Sequence, residues 1–412
     1  MPTFITAFPP HDPQVYELYW SPSQVRARAH PNLIATQRHL MSLWRTANPT
    51  AEISTSQPLA YADRVRIRQP GDAGFALGPH VDGGSVERWE PTGYGLGAVY
   101  DMIFQGSWEE YDPWESSCRI PVVSDLYEGG GACSMFRMFQ GWLSMSKTGP
   151  GEGTLMVNPL LQLSTAYFLL RPFFAPVNQP KSLVSGDYSA EFLDADNWRL
   201  KSHGEVTSEL QGANPGHAQE LNQVLHPHLD LRRSMVHVPK ISPGDYVAWH
   251  CDSEFFPPFV SQGSTSFYAF PILRWTLAKP TWLSSTLLCF QPFLLKLLIF
   301  VASAIHAVDK VHSGKSDSSV LYIPVCPTTE SNLSYLAHQR DTFLSGFPGP
   351  DFPGGKGESE HFGRPTAEYL RENVGSEGLR AMGLERLSTM DWEETFGSRK
   401  VVKKGNEILG FD

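Results

Sequence analysis

Apolar and polar positions change period several times along the 412 residues, and each change marks an element. Between residues 14 and 46, Val15, Leu18, Tyr19, Val25, Leu33, Ile34, Leu40, Met41, Leu43 and Trp44 recur at helical spacing with polar and basic residues between them. Two helices fit, the second opening near Pro31, whose fixed φ suits a first helical turn. From Tyr61 the period falls to two. Val65 and Ile67 alternate with Arg64, Arg66 and Arg68, the pattern of a strand with one apolar face. Gln69-Pro70-Gly71-Asp72 closes that strand as a turn. Further strands are predicted at 119–125, 135–146, 153–158, 234–239, 246–250 and 319–324, residues 345–358 form a Pro/Gly loop, and 365–387 read as helical. This is an α+β chain, one antiparallel β core with helices at both ends.

One block breaks the pattern. Residues 253–304 hold only four charged residues, Glu254, Arg274, Lys279 and Lys296, and residues 281–305 are nearly all apolar. A stretch of about 20 apolar residues can span a bilayer. Pro292 and Lys296 near its middle count against a span, so no membrane partner is expected.

Composition narrows the function classes. Charged residues are 18% of the chain and aromatics 12%, a globular balance that excludes disordered, collagen-like and coiled-coil chains. The net charge of −10 argues against nucleic acid bound through bulk basicity. The 35 glycines and 33 prolines favour a β- and loop-rich fold. Five scattered cysteines with no CxxC pair fit a reducing compartment, hence a cytoplasmic location, better than a disulfide framework. The first eight residues carry no basic n-region or long apolar run, so no signal peptide is expected, and the helical segment they open reads as truncated.

The chemistry concentrates at His80-Val81-Asp82. On a strand, side chains at i and i+2 share a face, so this pair presents an imidazole beside a carboxylate. A third ligand from a distant strand would complete a facial triad for Fe(II), with positions left for cosubstrate and dioxygen. His250-Cys251-Asp252 repeats the pattern, so the motif alone decides little, and a loop histidine beside a turn carboxylate is the simpler interpretation. Gly78, Pro79, Gly83 and Gly84 bracket the first pair and permit close backbone or ligand approach. His306, in Ala304-Ile305-His306-Ala307-Val308, is the candidate third ligand. Glu128–Cys133 lacks both a GxGxxG spacing and a Walker lysine, and Cys133 has no histidine at a nucleophile's spacing. His226, His228 and His237 read as structural.

Three stretches carry a resemblance: residues 78–89 (GPHVDGGSVERW), 137–159 (RMFQGWLSMSKTGPGEGTLMVNP), and 243–252 together with 305–327. Together they resemble the fungal and bacterial proteins known as domain of unknown function 1479, placed among the Fe(II)/2-oxoglutarate oxygenases. The middle stretch is also similar to phytanoyl-CoA-hydroxylase-type enzymes. The resemblance covers most of residues 14–252 and 305–400. It implies a double-stranded β-helix (cupin, jelly-roll) core, iron held by His80, Asp82 and His306, and 2-oxoglutarate as cosubstrate, with dioxygen and a small molecule as partners. A catalytically inactive cupin that binds a metabolite or partner is the alternative.

Two departures follow. In the family about five residues separate the histidines that correspond to His250 and His306; here 253–304 intervene, and the block reads as intron sequence translated in frame or another artefact of gene assignment. The implied organisation is a helical segment at 1–60, a core at 61–252 and 305–345, the apolar insertion, and a loop with helices at 346–412. Secondly, the family type anchors the cosubstrate's distal carboxylate on an arginine about ten residues after the last histidine, because a fork of donors matches a carboxylate. Lys315-Ser316-Asp317-Ser318-Ser319 offers none. Arg137 and Gln140 are the substitutes. At i and i+3 on an ideal strand they face opposite sides, so only one is expected to point inward. Arg66 and Arg68 are further candidates.

Overall fold

The computed structural model describes residues 5, 7–9, 12–74, 76–129, 133–180, 186, 188–250, 297–300, 305–352, 356–388 and 395–411. Most of the apolar block lies outside them, and of the stretch weighed as a membrane span only residues 297–300 and 305 are described. No helix among the described residues is long and apolar enough to cross a membrane.

The strands of the two larger sheets are β1 (Ala7–Phe8), β2 (Val15–Tyr16), β3 (Val65–Arg68), β4 (His80–Val81), β5 (Phe139–Ser144), β6 (Leu155–Val157), β7 (Gln219–Glu220), β8 (Val236–His237), β9 (Tyr246–His250), β10 (Leu297–Phe300), β11 (His306–Val308) and β12 (Ser318–Tyr322). Seven form one sheet in the order β1-β2-β3-β12-β5-β9-β10, and five form a second in the order β7-β4-β11-β6-β8. All pairings within these sheets are antiparallel except β9 with β10. Both sheets are open, and no closed barrel forms among the described residues. Trp142, Leu155, Val157, Val238, Ile241, Val247 and Trp249 are buried together, drawing on both sheets, with Val320 and Tyr322 packed against them.

The principal helices are α1 (Pro22–Arg28), α2 (Pro31–Met41), α3 (Leu161–Leu170), α4 (Glu330–Ser345), α5 (Ala367–Asn373), α6 (Ser376–Ala381) and α7 (Phe396–Leu409). Proline opens both α1 and α2, and Ser21 with Gln24 forms a capping box on α1. Leu333, Leu336, Phe343, Leu370, Leu379, Val401 and Leu409 gather α4 to α7 into a second apolar cluster that includes Val25 of α1.

Several expectations shift. Val15–Tyr16 is a strand, and helix begins only at Pro22. Residues 119–125 are not a strand: a 3-10 turn at Ser117–Arg119 runs into Pro121, which has no N–H to give a ladder. The 365–387 helix is two short ones, broken at Val374 and Gly375. Leu161–Leu170 lacks a polar stripe because the helix is largely buried, so no amphipathic period announces it. The arginine side of β3 is buried rather than solvated, with Arg66 6% and Arg68 2% exposed.

Two histidines are enclosed by this packing. The His250 ring stacks on Trp44 (centroids 4.3 Å, 16° between planes) and meets Trp114 edge-on at 4.7 Å. Burial first, then the charge of Arg119, holds its pKa well below the ordinary value. Burial and then Arg171 lower His226 to about 3. Both rings are therefore neutral in the folded chain, whereas the unfolded chain takes up protons near pH 6.5. Stability must fall as pH drops below that value, by about 1.4 kcal/mol per pH unit for each histidine. Urea unfolding of wild type and His226→Gln between pH 7 and 4 should show the variant's slope smaller by about that one-histidine amount; equal slopes would contradict the assignment.

Candidate metal centre

The centre begins with strand register. His306 of β11 lies directly opposite His80 of β4 in their antiparallel pairing. Opposed residues share a face, and the two rings stand 4.2 Å apart, centroid to centroid. Asp82 follows β4, two residues after His80. Its Oδ1 lies 3.7 Å from His80 Nε2 and its Oδ2 3.4 Å from His306 Nε2. One ligand atom from each of the three lies within 4.8 Å of the others, the only such group of three among the described residues. Metal–nitrogen bonds of about 2.0–2.1 Å place ligands at right angles about 3 Å apart, close to this spacing.

Local chemistry aims the groups. His80 Nδ1 is 2.6 Å from the Gly78 carbonyl, so donation there leaves Nε2 toward Asp82. Burial, then the neighbouring His306, lowers the His80 pKa to about 4 against an opposing pull from Asp82. Desolvation pushes the Asp82 carboxyl up, but hydrogen bonding to His306 and the charges of His80, His306 and Arg137 overcome it and hold the pKa well below the usual carboxylate range. A neutral imidazole and an ionised carboxylate are the ligating protonation states. Two nitrogens and one oxygen are also the donor set of a non-haem Fe(II) facial triad, so these residues fit such a metal.

Sequence reasoning missed the side chains that hold the Asp82 loop. Arg88 is 1% exposed and donates to the carbonyls of Gly84 (2.5 Å) and Asp82 (2.6 Å). The Tyr94 hydroxyl donates to the Gly83 carbonyl. Gly84 has φ +93°, and a Cβ there would come 2.7 Å from the Ser124 carbonyl oxygen, so no other residue fits without displacement. The arginine in 78–89 was visible in the sequence, but its reach back to these carbonyls depends on a 3-10 turn at Val86–Arg88.

The triad opens on a cavity of ≈ 410 Å³ lined by both sheets. Arg137 and Gln140 both line it. The expected opposition fails because Arg137 precedes β5, and a bend at Met138 interrupts the alternation. Arg66 and Arg68 line it as well. Arg68 is committed to structure, with Nε 2.7 Å from Asp72 Oδ2 and Nη1 donating to the Asp309 carbonyl at 2.8 Å. Arg66 lies directly opposite Val320 of β12, so an arginine stands on the strand beside the one that lacks it. Gln140 Nε2, Thr154 Oγ1 and Trp249 Nε1 are buried there without a hydrogen-bond partner among the described residues. Leaving a buried donor unpaired costs about 1–3 kcal/mol. His250 sits in its aromatic enclosure rather than at the triad, and Cys251 and Asp252 lie outside the described residues. Cys133 lines the cavity, and burial pushes its pKa up to about 11, which suppresses the thiolate.

The Gig2-like family profile matches residues 2–265 and 297–384. The chain belongs to the Gig2-like family. The match leaves out 266–296. The uncharacterized protein YbiU of Escherichia coli K12 is 27% identical over 374 residues, 90% of this chain and 68% of that protein. The crystal structure of GlcNAc inducible gene 2, GIG2 (DUF1479), from Candida albicans matches with a TM-score of 0.71 at 28% identity, over 96% of this chain and 72% of that one. A Salmonella typhimurium LT2 structure named "Putative Oxidoreductase" matches at 0.62 and 27% identity, over 90% and 68%. For this Gig2-like chain, Arg88→Ala should free the Asp82 loop and weaken Mn(II) binding 10- to 100-fold by calorimetric titration. Unchanged affinity would show that the loop holds itself.

Proposed function

We propose that the chain is an oxidoreductase, and specifically a non-haem Fe(II)/2-oxoglutarate-dependent dioxygenase that hydroxylates a small molecule. The observation that carries the reading is the meeting of His80, Asp82 and His306 at the wall of a ≈ 410 Å³ cavity. Strand order supports a double-stranded β-helix core. Along the chain β3, β5, β9 and β12 fall in one sheet and β4, β6, β8 and β11 in the other, with neighbours β3-β12-β5-β9 and β4-β11-β6-β8.

When bound, iron together with 2-oxoglutarate supplies the activation of dioxygen that amino-acid side chains cannot. His80, Asp82 and His306 would hold the metal, and three protein ligands leave positions for cosubstrate and dioxygen. Arg88 and Tyr94 fix the loop that presents Asp82. The cosubstrate's distal carboxylate needs a buried cation or donor set. Arg137 with Gln140, and Arg66 beside β12, are the candidates, because their charges flank the triad: Arg66 acts on His80 and Arg137 on Asp82. Trp142, Trp249 and Tyr322 supply apolar walls that would limit water. The protein thus positions its ligands, and specificity for the oxidised molecule comes from the cavity.

A catalytically silent cupin is the second reading, favoured by the absence of an arginine from 315–319. Anaerobic addition of Fe(II) and then 2-oxoglutarate separates the two. The oxygenase reading expects a weak visible charge-transfer band that His306→Ala abolishes. No band in the wild-type chain would leave the silent reading.

A further inference from the structure

Next to the Asp82 loop, one buried carboxylate is short of partners. Glu87 lies on the 3-10 turn at Val86–Arg88, lines the cavity and is 2% exposed. Its Oε2 accepts from the Ser85 amide at 2.7 Å. Its Oε1 takes no hydrogen bond, and no ion pair reaches the side chain, among the described residues. The adjacent cation turns away: the Arg88 guanidinium donates to the Gly84 and Asp82 carbonyls and lies 5.8 Å from the ring centroids of both Tyr94 and Phe168. Glu87 is close to the triad, because a Cβ on Gly84, two residues after Asp82, would come 3.3 Å from its Oε2. Ser124 and Asp125 also line the cavity, with the Ser124 carbonyl against Gly84 and Asp125 Oδ1 accepting from the Gly129 amide at 2.8 Å. The lining between these acids is bare backbone at Gly83, Gly84, Gly129 and Gly216, and a Cβ on Gly129 would come 2.6 Å from the Gly216 carbonyl oxygen.

A buried carboxylate with a free oxygen calls for a cation, since a lone buried charge opposes folding. Hydroxyl groups can donate to it, but only a charged donor offsets its charge as well. We propose that Glu87, with Asp125 at the rim, binds an ammonium group of the substrate, so that the cavity takes an amine. Trp142, Trp249 and Tyr322, in the same lining, offer apolar surface to the carbon chain of such a molecule. The inference rests on the oxygenase reading for calling this ligand the substrate. It makes Glu87 a specificity residue rather than a metal ligand.

Saturation-transfer NMR on the full chain at pH 7 tests this with three probes of equal length: butylamine, butanol and butyrate. Wild type should bind butylamine about tenfold or more tighter than either of the others. Glu87→Gln keeps the size, removes the charge and should lose that preference. Asp125→Asn, at the more open rim, should weaken butylamine about threefold and carries the test alone if Glu87→Gln does not fold. Mn(II) affinity checks the folding of both variants, and Mn(II) in wild type should broaden the signals of bound butylamine, which places the amine at the triad. Equal binding of butylamine and butanol, no binding of butylamine, bound butylamine left sharp by Mn(II), or a preference that survives in Glu87→Gln would overturn the ammonium subsite; so would an unchanged affinity in Asp125→Asn where that variant stands alone. Binding through Glu87 in a chain that shows no charge-transfer band with Fe(II) and 2-oxoglutarate would leave the subsite standing and end the oxygenase reading. A band without butylamine binding would end the subsite alone.

Discussion

The antiparallel pairing of β4 with β11 is the constraint on which the centre depends. It joins residue 80 to residue 306 across more than half the chain and places the two imidazoles on one face. A one-residue slip of either strand would turn one ring to the opposite face of the sheet. Register is fixed on both sides: β11 also pairs with β6 through His306–Val157, Ala307–Met156 and Val308–Leu155, and β4 pairs with β7. Asp309, just past β11, adds a lock by accepting from the Thr154 amide at 2.9 Å and pairing with His237 at 2.7 Å. Metal ligands held by a sheet ladder lose little further freedom when a cation arrives, which is the condition for tight binding.

Around that pairing the sheets accept an unusual load of polar groups. Arg66, Arg68, Gln140, Thr154 and His80 are all under 9% exposed, beside an apolar layer rich in tryptophan, valine and leucine. Buried charge and unpaired donors oppose folding unless compensated. Arg68 is compensated within the protein by Asp72 and the Asp309 carbonyl. Gln140 and Trp249 are not, among the described residues. Departures of this kind from ordinary core chemistry concentrate where ligands bind.

Much of the site was legible in the sequence because its elements are short-range. The i, i+2 spacing of His80 and Asp82 and the glycines at 83 and 84 declare themselves within a single loop. His306 is a candidate from the sequence and gains weight only through the resemblance, since nothing in local spacing says which of 14 histidines returns to the first two. The β3 alternation reads as a strand with one apolar face, and the structure covers both faces, Val65 in the core and Arg66 and Arg68 buried on the other side. Periodicity separates two faces without saying which one meets a cavity, and a row of arginines facing inward contradicts the usual burial order. The roles of Arg88 and Tyr94 were illegible because they arise from where a 3-10 turn aims a side chain. The expected opposition of Arg137 and Gln140 fails because a bend at Met138, not an ideal strand, connects them.

Three side chains from two distant parts of the chain, His80 with Asp82 and His306, are thus set to bind one cation. Titration with Co(II), followed by its visible absorption, tests it most directly. The triad should saturate at one Co(II) per chain, with binding lost in His80→Gln and in His306→Gln and retained in His237→Gln. Uptake of Co(II) that survives both triad substitutions, or a wild-type chain that takes up none, would contradict it.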